Sequence, residues 1–383
     1  MEPPLDNSPG ISMKTRTRIA LNGRFSGTAR PTGTQTAAFG LFDQVIRRNQ
    51  EFDFIVFADR RFSGVAEWAG IPGTQLIDVA FQDWSRGRAQ AWEQLAFPWL
   101  CRKWRCTLAH HPINTSPMLH GPARKIVTLH DLNFLRHPEW YTFKFRTIYS
   151  LCALPGLRNA DRVVAISKYV QEHARQYLHV SDERLRMIYN GSKSLALPDD
   201  NTTAAGPYLL CVGSIPPHKN LARLIEAYQL VRTDYPDLEL KVVGRPVAQS
   251  GRDDKLSQLL SAPGVRVLGY LSEADLARAY AGTRVFCYPS LEEGFGLPIL
   301  EAMSADAPVV TSNVSCLPEI AGDAAVLVDP HRVESIAEGI REVLQWSPEE
   351  KARRVAAGRR RAAQFSWSAA ADAYLALYRE VVG

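Results

Sequence analysis

The stretch Ser290-Leu-Glu-Glu-Gly-Phe-Gly-Leu-Pro-Ile-Leu-Glu301 sets two carboxylates, Glu293 and Glu301, eight positions apart around a turn bracketed by Gly294 and Gly296. The run before it, Val285-Phe-Cys-Tyr288, is short, apolar and closed by Pro289, which reads as a buried strand. Pro298 suits a first helical turn, where its missing N–H costs nothing, and Leu297, Leu300 and Met303 supply a helical apolar face. The glycines therefore stand between a strand end and a helix start. Without Cβ atoms they let backbone N–H groups approach an anion, and the helix dipole favours negative charge there. A carboxylate repels a phosphate, but it accepts two hydrogen bonds from a vicinal diol such as a sugar or a ribose presents. The chemistry that fits is the holding of a phosphorylated sugar: phosphate against Gly294, Phe295, Gly296 and Leu297, with Glu293 and Glu301 bordering the same ligand.

Three other groups could act with that turn. Lys219 follows Tyr208-Leu-Leu-Cys-Val-Gly213 and precedes an amphipathic pattern at Leu221, Leu224, Ile225, Tyr228 and Val231. A cation at a helix N-terminus opposes the dipole, and a bound diphosphate would offset that misplacement. His130 and Asp131 follow the strand-like run Ile126-Val-Thr-Leu129, where a histidine can bond a sugar hydroxyl or act as a base beside an aspartate. Asn22-Gly23-Arg24-Phe25, with Gly27 and Gly33, is a glycine-rich strand-to-helix loop without the G-x-G-x-x-G spacing, so it is no dinucleotide fingerprint. Gly33 is its best point of close approach to a ligand, and Arg24 adds a cation to the same loop. His110, His111, His120 and His137 read as structural or surface residues.

These groups need a scaffold that sets strand ends against one another. Ile19–Leu21, Phe52–Phe57, Leu76–Val79, Cys106–Ala109, Ile126–Leu129 and Val163–Ile166 alternate with helical patterns, which predicts a parallel sheet covered by helices. After Asn190-Gly191 a polar, small-residue stretch intervenes, and the rhythm restarts at Tyr208–Gly213, Leu240–Val243, Val265–Leu268, Val285–Tyr288, Val309–Thr311 and Ala325–Val328. The expectation is α/β: two doubly wound Rossmann-like domains facing a cleft, with ligands beyond the carboxyl ends of the strands. Residues 1–13 read as a disordered leader, 14–191 as the N-terminal domain, 192–206 as a linker and 207–365 as the C-terminal domain. Residues 366–383 read as a helix capped by Ser366 or Ser368, with Tyr374, Leu375 and Tyr378 on its packing face.

At 383 residues and 46% hydrophobic composition the chain can fill two cores. No apolar run approaches a membrane span, and the start lacks a secretory signal. Six cysteines without metal-ligand spacing read as reduced packing residues of a cytoplasmic protein. Residues 1–190 carry 25 Lys/Arg against 16 Asp/Glu, a balance of +9, which leaves 20 against 24 for the remainder. Such a basic half suits an anionic lipid headgroup, a lipid pyrophosphate or nucleic acid. Trp92, Phe97, Trp99 and Trp104, interleaved with Arg102, Lys103 and Arg105, fit either a membrane interface or, as Pro98 favours, core packing.

The turn continues Ala302-Met303 and then Pro308-Val309-Val310, and with its E-x7-E spacing it resembles the retaining glycosyltransferases of family 4, of the GT-B fold. The likeness is dense from Tyr208 to Pro330. It implies that Lys219, in Lys219-Asn220, meets the donor diphosphate beside Gly213, that Glu293 holds the sugar and Glu301 the ribose, and that residues 366–383 cross back to the first domain and buttress the hinge. His130-Asp131-Leu132-Asn133-Phe134 resembles an element of bacterial polysaccharide mannosyltransferases and places His130 in the catalytic cleft. The resemblance implies a donor nucleotide diphosphate sugar, GDP-mannose ahead of a UDP-sugar, and a saccharide or lipid-diphosphate-linked acceptor at the inner face of the membrane. No nucleic acid partner or cofactor is expected, and the absence of any Asp-x-Asp pair argues against a metal in the donor site. Two departures stand out. The family's usual arginine is replaced by His218 and Ser214, leaving a protonated His218 or Arg245 as the substitute, and Asp306 stands where glycine is usual, at a helix end that wants a left-handed residue. Two alternatives stay open: an inverting GT-B transferase with His130 as base, and a nucleotide-sugar-binding protein with impaired catalysis.

Overall fold

The structure is a computed structural model that describes residues 16–193, 206–213, 216–244 and 254–383. The expected leader, most of the linker, Ser214 and Arg245 lie outside the described residues. Seven strands form the first sheet: β1 (Arg18–Gly23), β2 (Asp53–Ala58), β3 (Thr74–Asp78), β4 (Leu108–His111), β5 (Arg124–Leu129), β6 (Arg162–Ala165) and β7 (Leu185–Met187), in the order β3-β2-β1-β4-β5-β6-β7. The second holds β8 (Tyr208–Val212), β9 (Glu239–Val243), β10 (Val265–Gly269), β11 (Val285–Tyr288), β12 (Val309–Ser312) and β13 (Ala325–Val328), in the order β10-β9-β8-β11-β12-β13. The described pairings are parallel, such as Leu21 with Val56 and Tyr288 with Thr311. Strands covered on both faces must be apolar throughout, and Ile19, Ala20 and Leu21, like Val285, Phe286 and Cys287, are fully buried. Strand order reverses beside β1 and β4 in one sheet and beside β8 and β11 in the other, which puts Arg24, Lys219 and Glu293 at the switch points.

One apolar cluster runs through both halves, from Leu129, Leu132 and Ile166 to Phe295, Ile299 and Leu317. The helix Trp367–Val382, capped by Ser366 accepting from the Ala369 N–H at 3.1 Å, crosses back and packs on the helix Gly33–Arg48. Its tyrosines do not sit at the hinge as expected. Tyr374 bonds the Thr128 hydroxyl at 2.7 Å and Tyr378 meets His110 Nδ1 at 2.5 Å, so they are part of the first domain's core, satisfying polar groups a sheet interior would otherwise strand. The hinge contacts fall just upstream. Phe365 packs against Tyr189 and Phe295, with ring centroids 5.3 and 5.8 Å apart, and the Ser192 N–H donates to the Phe365 carbonyl at 2.8 Å. The two crossing chains touch at Gly191, where a Cβ would lie 2.2 Å from the Trp367 nitrogen.

Candidate functional site

Lys219 ends the short turn Pro217–Lys219, and the next residue fixes it. Asn220 adopts a left-handed conformation at φ 60° and caps the helix Leu221–Arg232, while its amide donates to the Pro289 carbonyl at 3.0 Å and the Pro330 carbonyl at 2.6 Å. That ties the lysine's turn to the end of β11. Lys219 Nζ then lies 2.6 Å from Glu293 Oε1 and also meets the Tyr288 hydroxyl, over whose ring it sits at 4.6 Å. Burial pushes the Glu293 carboxyl up, but Lys219 leads the influences that outweigh it and hold the group below the usual carboxylate range. The carboxylate is the lysine's counter-ion. A donor phosphate would compete for the same cation.

Glu301 lies in the helix Leu297–Ser304, whose N-cap Gly296 takes φ 96°. Burial raises its carboxyl, and the Tyr280 hydroxyl, 3.0 Å from Oε2, opposes that rise. Tyr280 thus holds one of the two carboxylate oxygens in place. Asp306 adopts the left-handed conformation expected of it, φ 61°, and pairs with Arg359 at 2.9 Å. Gly213, at φ 135°, and the exposed Gly33, at the start of the helix Gly33–Arg48, both face open space, as backbone beside a ligand would.

The structure corrects the reasons given for several of these residues. Gly294 is a glycine because the other domain needs the room: a Cβ there would lie 1.9 Å from the His130 carbonyl oxygen. The Phe295 ring turns inward to Tyr189 and Phe365, so only its backbone can meet a phosphate. His218 supplies no second cation, because burial pushes it down to about 4 and leaves it neutral. His130 does not pair with Asp131. Its Nε2 bonds the Pro112 carbonyl at 2.8 Å, and burial holds the ring at about 4. Asp131 instead accepts from the Asn133 N–H at 3.1 Å, and burial, reinforced by Glu293 and Glu292, lifts its carboxyl to about 6. Trp92 and Phe97 pack against each other at 5.4 Å, as the core reading has it, but Trp99 is 60% exposed.

Sequence reasoning missed the polar residues that hold this arrangement. Glu292, one position before the site carboxylate, points across the cleft to the Tyr169 hydroxyl at 2.7 Å and to Arg136. Glu319 accepts from the backbone N–H groups of Lys168 at 2.9 Å and Tyr169 at 3.3 Å, capping a first-domain helix from the second domain, while Ser167 Oγ donates to the Gly294 carbonyl at 2.8 Å. Asn114 binds the His130 N–H at 2.6 Å, and its neighbour Thr115 meets Arg24. Arg24 does not reach freely into the cleft. Its guanidinium lies 3.2 Å from Glu93, a fully buried carboxylate that also accepts from Asn22 at 2.7 Å. Glu93 sits in a π-helical turn, Trp92–Ala96, of the kind that re-aims a side chain.

Burial raises the Glu93 carboxyl, but Arg24, His111 and Thr115 bring it to about 2. A carboxyl depressed in the folded state stabilises the fold above its unfolded value and loses that contribution as pH falls through the folded one. Glu93→Gln should therefore cost about 3 kcal/mol near neutral pH, and urea melts should lose less stability between the ordinary 4.5 and about 2 than the parent does.

The chain matches the model of glycosyl transferases group 1 over residues 193–361 and that of Glycosyltransferase Family 4 over residues 31–192. It is 33% identical over 291 residues to the O-antigen chain mannosyltransferase B of Escherichia coli, covering 70% of this chain and 73% of the relative. It is 29% identical over 274 residues to the E. coli serotype-specific mannosyltransferase WbdA, of whose length the match spans only 33%. Sucrose-phosphate synthase of Thermosynechococcus elongatus superposes with a TM-score of 0.76 at 22% identity over 96% of this chain and 99% of the other. Anabaena HepE, in complex with UDP-glucose, gives 0.72 at 18% identity over 95% and 99%. Two parallel-sheet domains, family matches that together run from residue 31 to 361 and a relative 33% identical over 70% of the chain make this chain a glycosyltransferase of family 4 with the GT-B fold.

Proposed function

We propose that the chain moves a hexose, with retention of configuration, from a nucleotide diphosphate sugar to a saccharide acceptor in bacterial polysaccharide assembly. GDP-mannose is the favoured donor, and the acceptor is carried on a lipid diphosphate at the inner face of the membrane. The observation that carries this reading is the Lys219–Glu293 pair at 2.6 Å beside the helix N-terminus at Gly296. A lysine, backbone N–H groups and a dipole converge where leaving-group charge develops, and a carboxylate waits for sugar hydroxyls. The mannose preference is supported by the E. coli relatives, both of which are named as mannosyltransferases. In the transfer, the bond from the anomeric carbon to the diphosphate oxygen breaks as the acceptor hydroxyl attacks the same face. The acceptor's proton passes to the departing phosphate oxygen.

His130 suits the retaining reading better than the inverting one. A general base works best with a pKa near the operating pH, and a ring held at about 4 is a weak base that can still hydrogen-bond a sugar hydroxyl through Nδ1. Asp131, lifted to about 6, is the group from which an inverting reaction would draw its base. Proton NMR of the product decides: the donor's anomeric configuration is expected, and its inversion would overturn the retaining assignment. A thermal-shift screen of nucleotide sugars, followed by transfer assays with the best binder, tests the proposal as a whole. GDP-mannose should raise Tm most, and stabilisation by no nucleotide sugar would sink the reading.

The ribose assignment makes a separate prediction. Glu301→Ala removes charge-assisted acceptors for two hydroxyls, so GDP affinity by calorimetry should fall about ten- to a hundredfold. Affinity for free mannose 1-phosphate, which has no ribose, should not change.

A further inference from the structure

We propose that the first domain carries a docking face for an anionic lipid surface, formed by Leu95, Trp99, Leu119, Phe143 and Leu151. Among the described residues these are the five most exposed large apolar side chains, from 60% for Trp99 to 79% for Leu119. They project from three adjoining elements. Leu95 and Trp99 stand four positions apart on the continuous helical run from Arg86 to Lys103, hence on one side of it. The loop bearing Leu119 is bound to that run, with the Met118 N–H donating to Gln94 Oε1 at 2.8 Å and Gln94 Nε2 to the Ser116 carbonyl at 3.0 Å. Phe143 and Leu151 lie on the exposed stripe of the helix Phe143–Arg158, and Asn159 just beyond it donates to the Met118 carbonyl at 2.8 Å.

Charge selects the occupant. Residues 94–130 contain five Lys/Arg and no Asp/Glu, and residues 140–160 contain three and none. Arg102, Lys103, Lys144 and Arg158, on the same helices as the apolar side chains, are exposed, and Lys103 Nζ lies 5.4 Å over the Trp99 ring. Isolated apolar tips framed by cations suit insertion among anionic headgroups, with tryptophan at the interface depth. Among the described residues no helix is long and apolar enough to cross a membrane, so the contact would be peripheral. The face also leads to the cleft. The loop that holds Leu119 begins with Asn114 and Thr115, which bind His130 and Arg24, so a lipid-borne acceptor lying under the face would meet the acceptor side of the site. This last step rests on the proposed lipid-linked acceptor, whereas the face itself does not.

Co-sedimentation with vesicles containing phosphatidylglycerol, against vesicles of phosphatidylcholine alone, tests it on the full chain. The parent should pellet with the anionic vesicles only, and Leu95→Glu with Trp99→Glu should weaken that binding at least about tenfold. Arg102→Glu with Lys103→Glu should weaken it similarly and remove its salt dependence. Transfer to a short soluble acceptor should be unchanged in both variants. A parent that stays in the supernatant, or a Leu95→Glu, Trp99→Glu chain that binds as well as the parent, would overturn the proposal. So would self-association that these substitutions abolish in the absence of any vesicle binding. Nucleotide-sugar thermal shifts report on the transferase assignment separately, so either reading can fail without the other.

Discussion

Replacing Lys219 by alanine should lower kcat/KM for sugar transfer about a hundred- to a thousandfold, the usual loss when one charged group facing a developing negative charge is removed. The fall should appear in kcat, because the diphosphate's charge grows as the glycosidic bond breaks. The same substitution has a second consequence that a role confined to catalysis would not produce. Glu293 is held in its low range against burial chiefly by Lys219, the largest of the lowering influences. Without the lysine, burial should prevail and the carboxyl should rise above its ordinary range. A raised carboxyl contributes stability below its unfolded value and loses it as pH climbs through the folded one. Lys219→Ala should therefore melt about 2 kcal/mol below the parent near neutral pH, a value discounted for the pair's partial exposure, and the deficit should shrink toward acid. Adding Glu293→Gln should restore most of the stability and none of the activity. Calorimetry of both variants across pH checks this, and full activity in Lys219→Ala would remove the lysine from the mechanism.

The sequence made one half of this site readable because the residues that build it are local. Glycine, proline and a helical apolar period within Ser290 to Met303 specify a strand, a turn and a helix, and the two carboxylates follow from their spacing. Most strand positions were legible for the same reason, since fully buried parallel strands are continuous apolar runs. What was not legible depends on pairs far apart in the chain. Glu93 meets Asn22 across 71 positions and Glu292 meets Tyr169 across 123, and neither leaves a local period. Glu93 is further disguised by its π turn, which breaks the helical spacing that would have marked it as inward-facing. Glu319 could have been suspected, because the sequence Leu317-Pro318-Glu319 puts a carboxylate at a helix start, but its partners are the amides of another domain's helix. Arg24 shows the opposite error. A loop arginine looks available until the fold supplies it with a buried counter-ion.

Gly294 separates the two reasons a glycine can occupy that turn. If its role were only to admit a phosphate to the backbone, alanine would keep the N–H, and donor binding and transfer would fall together. The structure points to the other side of the residue. A methyl group there would lie 1.9 Å from the His130 carbonyl oxygen and 3.6 Å from the Asp131 Cβ, so the two domains could not meet as they do. The Ser167 bond to the Gly294 carbonyl, the Glu319 cap on the Lys168 and Tyr169 amides, and the Glu292 contact with Tyr169 would all be pushed apart. Gly294→Ala should therefore leave GDP affinity within a few-fold of the parent, because Lys219, Glu301 and the helix N-terminus belong to one domain and stay together. Transfer should fall at least about a hundredfold, the effect of misplacing reacting groups by an ångström or more. Overpacking at the closure contact should lower stability by about 1–3 kcal/mol. Small-angle scattering should show a larger radius of gyration that added nucleotide sugar no longer reduces. A variant that transfers sugar as the parent does would show that the contact between Gly294 and His130 is not made in the catalytic state. Loss of GDP binding together with activity would return the glycine to its phosphate-facing role.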